Sequence, residues 1–180
     1  MKGDYFIYTG NAYPHKNLVR LIQAVVLINS KYEIKLKISS SRGVFTERLK
    51  KLIIQNNAEK YVDLLGYVPD EKIVDLYKNS LAFVFPTISE GFGLPPKEAI
   101  EAGTVAVVSD IPVLKEVYGD SVVYFDPNNI ESIASSLEAI VNMGNKERLE
   151  KIEYAKSFLK KYSWAKMAKE TLKIYEEAAK

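Results

Sequence analysis

The sequence predicts an α/β protein with a doubly wound parallel sheet of about six strands and helices on both faces. Short runs rich in Val, Ile, Phe and Tyr alternate with segments of helical periodicity along the 180 residues. Several runs are almost continuously apolar, which is typical of strands buried on both faces of a parallel sheet. Alternating strands and helices imply right-handed crossovers, and these place helices on both sides.

The predicted strands define where a ligand would bind. In open α/β sheets, ligands bind beyond the carboxyl ends of the strands, so the loops that follow the strands are the candidate sites. The predicted strands are Tyr5–Thr9, Ile34–Ser39, Val62–Leu65, Leu81–Phe85, Val105–Ser109 and Val122–Phe125.

The predicted helices carry apolar side chains at helical spacing. We expect Asn17 to cap the first helix and Ser163 to cap the last, and the third begins at Pro69-Asp70. The apolar stripes are Leu18, Leu21, Ile22, Val25 and Ile28; Phe45, Leu49, Leu52 and Ile53; Ile73, Val74 and Tyr77; and Ile133, Leu137 and Ile140, with further helices at Lys146–Lys160 and Ser163–Ala178.

Composition favours one soluble globular domain covering residues 1–180. The chain is 47% apolar and 27% charged, with a net charge of +2 and no basic stripe, which argues against a nucleic-acid binder. It has no cysteine, so disulfides and thiolate chemistry are excluded. Its single histidine, His15, cannot form a multi-histidine metal site within the chain.

No targeting or membrane signal stands out. No apolar run approaches the ~20 residues needed to cross a bilayer. Strand-like sequence begins at Tyr5, which leaves no room for a signal peptide, so we expect a cytoplasmic protein. This abrupt beginning also suggests a domain upstream.

The stretch Glu90–Glu98, EGFGLPPKE, is the most informative motif. Two carboxylates flank a Gly-Phe-Gly turn and a Pro-Pro pair that suits the start of a helix. Glu98 would then lie in the first helical turn and stay ionised, as an acceptor for paired sugar hydroxyls. Glu90 could accept from a transferred sugar or stabilise an oxocarbenium-like centre. Each glutamate alone could be structural, but the two together favour a ligand site.

The first loop, Gly10–Asn17, offers a cation beside a helix N-terminus. Lys16 could bind phosphate there, although an ordinary β–α loop with an exposed lysine explains this loop better when it is taken alone. It is neither a dinucleotide fingerprint nor a Walker loop. His15 is better explained as a surface imidazole than as a catalyst, and its contact with a ligand stays open.

Other loops offer weaker candidates. Arg42 could reach a phosphate, but a solvated arginine is the simpler explanation. Tyr67, with Val68, could shelter a nucleobase or equally provide hydrophobic cover. Asp110 is interpreted as a helix cap. No Asp-x-Asp pair occurs, so a metal-bridged diphosphate has no support, and no metal or other cofactor is expected.

The ordered set of these motifs resembles the retaining glycosyltransferases of GT-B architecture, family 4 or "glycosyl transferases group 1". The stretch Glu90–Glu98 is similar to their E-x7-E signature, and the likeness covers nearly the whole chain. The matching segments in order are Tyr8-Thr9-Gly10 with Lys16-Asn17, Gly66-Tyr67-Val68, Ser89–Pro95, Val117–Asp120, Phe125-Asp126-Pro127 and Tyr162-Ser163-Trp164.

The resemblance implies a Rossmann-like C-terminal half of a two-domain enzyme, which binds a nucleoside-diphosphate sugar. The N-terminal half would hold the acceptor, a glycan or lipid-linked sugar, and the last helix, about 163–178, could pack on it. Peripheral association with the inner face of the membrane is also implied. Transfer would proceed with retention and without metal, and this half alone would be inactive.

The resemblance also assigns roles to residues. Glu90 would contact the sugar near its reacting carbon and Glu98 would hold the ribose hydroxyls. Lys16 would contact the diphosphate. The remaining donor-binding residues would be Gly10, Asn11, Tyr67, Val68, Gly91, Phe92, Gly93 and Leu94.

One departure affects the diphosphate. Many relatives place an arginine directly after the glycine of the first loop, where this chain has Asn11, so one cation is missing unless Arg42, another residue or the absent half supplies it. The alternatives are a GT-B nucleotide-sugar epimerase and a non-catalytic nucleotide-binding module. The sequence does not reveal the base, the sugar or the acceptor.

Overall fold

A computed structural model of the chain describes residues 3–40 and 44–179. Six strands form one sheet, and their bounds agree closely with the predicted ones. They are β1 (Tyr5–Thr9), β2 (Lys35–Ser39), β3 (Val62–Gly66), β4 (Ala82–Phe85), β5 (Ala106–Ser109) and β6 (Val123–Phe125).

Eight α-helices are described between and after the strands. They are α1 (Leu18–Ile28), α2 (Val44–Gln55), α3 (Asp70–Asn79), α4 (Leu94–Glu101), α5 (Pro112–Tyr118), α6 (Ile130–Asn142), α7 (Asn145–Leu159) and α8 (Trp164–Ala178), with short 3-10 turns at Pro14–Lys16 and Gly119–Ser121.

The sheet is parallel throughout, in the order β3-β2-β1-β4-β5-β6. The chain moves outward from β1 to β3, crosses back to β4 and continues outward to β6. This reversal between β1 and β4 is the topological switch point, beyond which ligands bind in doubly wound folds. The predicted α/β fold class is confirmed.

The core lies on both faces of the central strands. Strands β1 and β4 are buried almost completely, as the near-continuous apolar runs YFIY and AFVF predict. Helix α1 packs against both α2 and α6, while α4 packs against α3 and α7, and α7 packs against α5. Helix α8 has no buried residue.

Two predicted helix caps are wrong, and one is confirmed. Asn17 occupies the N-cap position of α1, but its side chain makes no capping bond. Asp110 does not cap α5, which begins after Ile111; its carboxylate pairs with Lys115 at 2.8 Å instead. Ser163 does cap α8, because its hydroxyl accepts from the backbone N–H of Lys166 at 3.1 Å.

Candidate active site

The loops that follow β1 and β4 are joined directly at the carboxyl edge of the sheet. The backbone N–H of Ile88 donates to the carbonyl of His15 at 2.9 Å, and the Thr87 hydroxyl donates to the same carbonyl at 3.2 Å. Because these strands are neighbours and parallel, the loops leave the sheet side by side. His15 thus contributes its backbone to the site, and its ring lies 6.0 Å from the Tyr13 ring.

This junction brings Lys16 and Glu90 into an ion pair, although 74 residues separate them. The Lys16 ammonium donates to Oε1 of Glu90, and the two side chains are only 13% and 15% exposed. The ammonium also lies 5.4 Å from the centre of the Phe85 ring. Lys16, the predicted phosphate-binding cation, therefore contacts Glu90, the predicted catalytic carboxylate, directly.

Asn17 links three loops of this edge. Its Nδ2 donates to the carbonyl of Pro86 at 3.1 Å and to that of Pro127 at 2.8 Å. Its Oδ1 accepts from Nη1 of Arg20 at 2.9 Å. Pro86 follows β4 and Pro127 follows β6, so the side chain of Asn17, the predicted cap, joins the loop after β1 to the loops after β4 and β6.

The glycine-rich turn owes its shape to Gly93. This residue has φ +79°, a left-handed conformation, and a Cβ there would lie 2.7 Å from Cδ2 of Leu114. Gly91 differs, because its φ is not in the left-handed region and a Cβ would meet nothing within 4 Å. Glycine is therefore required by the backbone at Gly93, whereas Gly91 has an ordinary backbone and borders open space.

The start of α4 leaves a small set of free backbone donors. The helix begins at Leu94, so the two prolines are its second and third residues and carry no N–H. The N–H of Lys97 donates to the Tyr118 hydroxyl at 3.1 Å, and that hydroxyl donates to the carbonyl of Gly93. Among the described residues, no acceptor takes the N–H of Phe92, Gly93 or Leu94. Three donors remain for an anion.

Glu98 lies one or two residues deeper in α4 than predicted. It is the fifth helical residue and therefore outside the first turn, because Gly93 allows the helix to start at Leu94. Desolvation raises the pKa of Glu98, the carboxylates of Asp70 and Glu101 raise it further, and Lys97 opposes them. The helix N-terminus therefore does not lower the pKa of Glu98, which lies above its ordinary value because of burial and its acidic neighbours.

Three buried phenols surround the carboxylates. Burial raises the pKa of Tyr8 and of Tyr118 well above the ordinary value, and Glu90 adds to both. Burial raises the pKa of Tyr77 to about 12, with Glu98 contributing and the hydrogen bond to Thr9 opposing. All three phenols therefore stay neutral donors. The charges of Glu98 and Glu90 both raise the pKa of Tyr118.

The remaining predicted residues lie around this centre at different distances. The exposed Gly10 donates its N–H to the carbonyl of Ser39 at 3.0 Å, and the Asn11 carbonyl accepts from the Tyr8 hydroxyl at 2.7 Å. Tyr67, 73% exposed, and Val68 follow β3, the edge strand two positions from β1. At about 4.8 Å per strand, they lie roughly 10 Å from the first loop. Arg42 falls outside the described residues.

A groove adjoins the glycine-rich turn on the side that faces α7 and α8. It has a volume of about 1170 Å³ and lies between α4, the end of α7 and the start of α8. Phe92 forms part of its wall, where its ring meets the Tyr162 ring edge-on at 5.2 Å. The side chain of Phe92 thus serves the α7–α8 junction, while its backbone N–H belongs to the glycine-rich turn.

Residues 3–40 and 44–179 hold no group of three or more His, Asp or Glu side chains arranged to bind a metal ion. Within those same ranges no helix combines the length and the apolarity that a bilayer crossing requires.

The chain matches a known protein family over most of its length. The family described as "Glycosyl transferases group 1" matches residues 1–158, most of the chain. The chain belongs to this family. Glu90, Glu98 and Lys16 all lie within the matched range.

Curated relatives of this family member include two proteins named as O-antigen chain mannosyltransferases. The chain is 32% identical over 176 residues to "O-antigen chain mannosyltransferase B" of Escherichia coli, covering 96% of this chain and 45% of the relative. It is 32% identical over 139 residues to "O-antigen chain mannosyltransferase RfbU" of Salmonella typhimurium, covering 77% and 39%. The chain therefore spans less than half the length of these relatives.

Solved structures share the fold. A glycosyltransferase from Rickettsia africae has a TM-score of 0.87 at 20% identity, covering 100% of this chain and 49% of that chain. A sucrose-phosphate synthase from Thermosynechococcus elongatus has a TM-score of 0.86 at 18% identity, covering 98% and 46%. At these identities the likeness shows the fold, which is that of one half of GT-B glycosyltransferases.

Sequence reasoning missed the positions of two residues at the site. The sequence predicts Asn17 as a helix cap within the matching first-loop segment and not as a tie between loops, because its carbonyl partners are 69 and 110 residues away. Tyr118 was noted as part of a motif without a role, although its hydroxyl holds the start of α4. The only sequence signal for Tyr118 is its place on the apolar side of a short helix.

Proposed function

We propose that residues 1–180 form the donor-binding domain of a retaining GT-B glycosyltransferase, whose donor is a nucleoside-diphosphate sugar. The observation that carries this proposal is the meeting of Lys16 and Glu90 beside the open turn at Gly91–Leu94. A cation, a carboxylate and three free N–H groups at one sheet edge match the parts of an activated sugar: a diphosphate and a hydroxyl-rich ring.

Lys16 and the turn would bind the diphosphate. The ammonium supplies a point charge, and the N–H groups of Phe92, Gly93 and Leu94 supply directed donors at a helix N-terminus. Gly10 and Asn11 would border the phosphates from the first loop. These groups would also stabilise the charge on the leaving diphosphate, so no metal is required in the proposal.

Glu98 would accept from the ribose hydroxyls, and Tyr67 with Val68 would border the base. Lys97 is the cation that lowers the pKa of Glu98, and the phenol of Tyr77, whose own pKa Glu98 raises, stays neutral. A diol that donates two hydrogen bonds would satisfy the Glu98 carboxylate. The distance of β3 from β1 leaves room for a ribose between phosphate and base.

Glu90 would contact the sugar near its reacting carbon and stabilise the positive charge that develops there. In the free chain its partner is Lys16. A donor would separate this pair, because its diphosphate competes for the ammonium. The leaving phosphate would assist the incoming acceptor on the same face of the sugar, which gives retention.

The relatives favour mannose as the transferred sugar. Two of the relatives described above are named mannosyltransferases, at 32% identity each. The acceptor would then be a glycan or lipid-linked sugar, and a full-length enzyme could associate peripherally with the inner face of a cytoplasmic membrane.

A second domain would complete the cleft. The chain spans 45% of its mannosyltransferase relative, and α8 exposes a broad apolar face that packs on nothing described. We expect α8 to pack on that second domain, and the 180-residue chain alone to bind donor without transferring sugar. The exposed apolar residues of α8 are Trp164, Met167, Leu172, Ile174 and Tyr175.

Calorimetric titration of the chain with UDP, GDP and ADP, and with each matching free nucleoside, tests the donor site. Lys16→Ala should weaken binding of the preferred diphosphate by about tenfold or more, because a charge-assisted contact is lost. Nucleoside binding should change less than twofold.

Lys31→Ala is the matched control. Lys31 also pairs with a carboxylate, Glu138 at 3.0 Å, but it lies in the turn after α1, beside α6 and away from the glycine-rich turn. It should leave both affinities unchanged. Equal losses of diphosphate and nucleoside in Lys16→Ala, or no binding of any diphosphate to the unaltered chain, would contradict the proposal. Comparing nucleoside-diphosphate mannose with the glucose counterpart then tests the sugar.

A further inference from the structure

Asn17 is a buried polar residue whose side chain bonds away from its own helix. It is 5% exposed, and its backbone is left-handed, with φ 56° and ψ 30°. Both hydrogens of its amide nitrogen have acceptors, the carbonyls of Pro86 and Pro127, and its oxygen accepts from Arg20. A carboxamide is the side-chain group that offers two donors and an acceptor from one atom cluster.

The two carbonyls belong to different loops. Pro86 is the first residue after β4 and precedes Glu90 by four positions, while Lys16 directly precedes Asn17. The single amide therefore fixes the stretch that carries Lys16 against the stretch that carries Glu90. The bond to Pro127 anchors both to the loop after β6, two strands beyond β4.

We propose that Asn17 is a positioning residue that sets Lys16 against Glu90, and that it thereby shapes the diphosphate-binding site. This inference rests on the proposed function. Asparagine meets both demands of the position, since it tolerates the left-handed backbone and supplies two N–H donors. Aspartate would turn an oxygen toward two carbonyl oxygens, and glycine would keep the backbone but lose the tie.

Asn57 provides a matched control. It is the other described non-glycine residue with positive φ, at 51°, and it is exposed beyond the end of α2. Substitution by glycine or aspartate there changes the same residue type on the same backbone conformation, without touching the three loops.

The test measures nucleotide binding and pair coupling in Asn17→Asp, Asn17→Gly, Asn57→Asp and Asn57→Gly. Both Asn17 variants should bind the preferred nucleoside diphosphate about tenfold more weakly, with nucleoside affinity changed less than twofold, and the Asn57 variants should match the unaltered chain. A purely structural role would lower both affinities together. If Asn17→Asp fails to fold, Asn17→Gly carries the test.

A ligand-free measurement separates this inference from the proposed function. The coupling between Lys16→Met and Glu90→Gln is taken from a double-mutant cycle of urea unfolding. It should disappear in the Asn17→Gly background and persist in Asn57→Gly. Persistence of the coupling in Asn17→Gly, or unchanged diphosphate affinity in a folded Asn17 variant, overturns the inference. Loss of coupling in a chain that binds no nucleotide leaves the inference standing and sinks the proposed function.

Discussion

Polar groups at the two ends of the sheet differ in the hydrogen-bond partners that they have. At the amino end, the buried hydroxyls of Ser80 and Thr104 both donate to the carbonyl of Tyr77, at 2.8 and 2.6 Å. The guanidinium of Arg148 donates to the carbonyls of Leu81 and, at 2.7 Å, Ile140. At the carboxyl end, Lys16 and Glu90 hold one another while the N–H groups of the glycine-rich turn have no described acceptor.

The difference teaches which end stabilises the fold and which end is open to a ligand. Polar groups at the amino end are matched to main-chain carbonyls that cannot leave, so they contribute stability. At the carboxyl end, Lys16 and Glu90 are matched to one another and the N–H groups of the glycine-rich turn to no described acceptor, so an anion can replace these partners at small cost. Substitutions at the amino end should change stability alone, and those at the carboxyl end should change binding.

Arg148→Ala should give the largest effect. It removes the guanidinium donors from the carbonyls of Leu81 and Ile140, of which the latter keeps the N–H of Met143 at 3.3 Å, and should lower the free energy of unfolding by about 2 to 4 kcal/mol. Lys146→Ala on the same helix, where the side chain is 91% exposed, should change it by less than about 0.5 kcal/mol. Urea unfolding measures both. A change in diphosphate affinity of the folded Arg148 variant would break the division between the two ends.

Gly93→Ala should follow in size. A methyl group there clashes with Leu114 and occupies a left-handed backbone position, so we expect a loss of about 1 to 3 kcal/mol. Gly91→Ala has open space and an ordinary backbone, so its thermal unfolding should match that of the unaltered chain.

The variants Gly91→Ala and Gly93→Ala also test where the donor binds. Because we place the donor against the open side of Gly91, Gly91→Ala should weaken nucleotide-sugar binding without loss of stability. Unchanged affinity of Gly91→Ala, measured by calorimetry, would move the donor away from this turn.

The pH dependence of Glu98 should give the smallest effect. Its pKa is raised by desolvation and by Asp70, so it takes up a proton at higher pH than an ordinary glutamate. Affinity for the nucleoside diphosphate should therefore fall as pH falls from 7 to 5, by roughly two- to tenfold.

The phosphates of the ligand titrate in the same pH range as Glu98. The variant Glu98→Gln therefore isolates the contribution of the Glu98 carboxylate to the pH dependence. The variant should bind more weakly at pH 7 and lose the carboxylate's share of the pH dependence. Native stability runs the other way. A carboxyl with a raised folded-state pKa binds protons more tightly in the folded chain, so Glu98 makes the fold relatively more stable as pH falls. Identical pH profiles for the two chains would remove Glu98 from the site.

The fold could be predicted from sequence because its signals are local. Runs such as YFIY and AFVF are too apolar to be exposed on either face, and stripes such as that from Leu18 to Ile28 recur at helical spacing. The motif Glu90–Glu98 was placed at the correct sheet edge for the same reason, since it follows a strand.

The details of the site depend on long-range contacts and could not be predicted. Asn17 reaches carbonyls 69 and 110 residues away, and the start of α4 depends on how Gly93 packs against Leu114. Arg148 did leave a signal, because it occupies a buried stripe with Ile152, Ala155 and Leu159 at helical spacing. A charge on such a stripe indicates a buried partner but does not identify it.

Amide chemical-shift mapping during titration with nucleoside diphosphates tests the central claim most directly. We predict shifts at Lys16, Gly93 and Glu98, with the amides of Arg148 and Thr104 unmoved at saturation. Shifts confined to the amino end of the sheet, or no shift with UDP, GDP or ADP at millimolar concentration, would contradict the account.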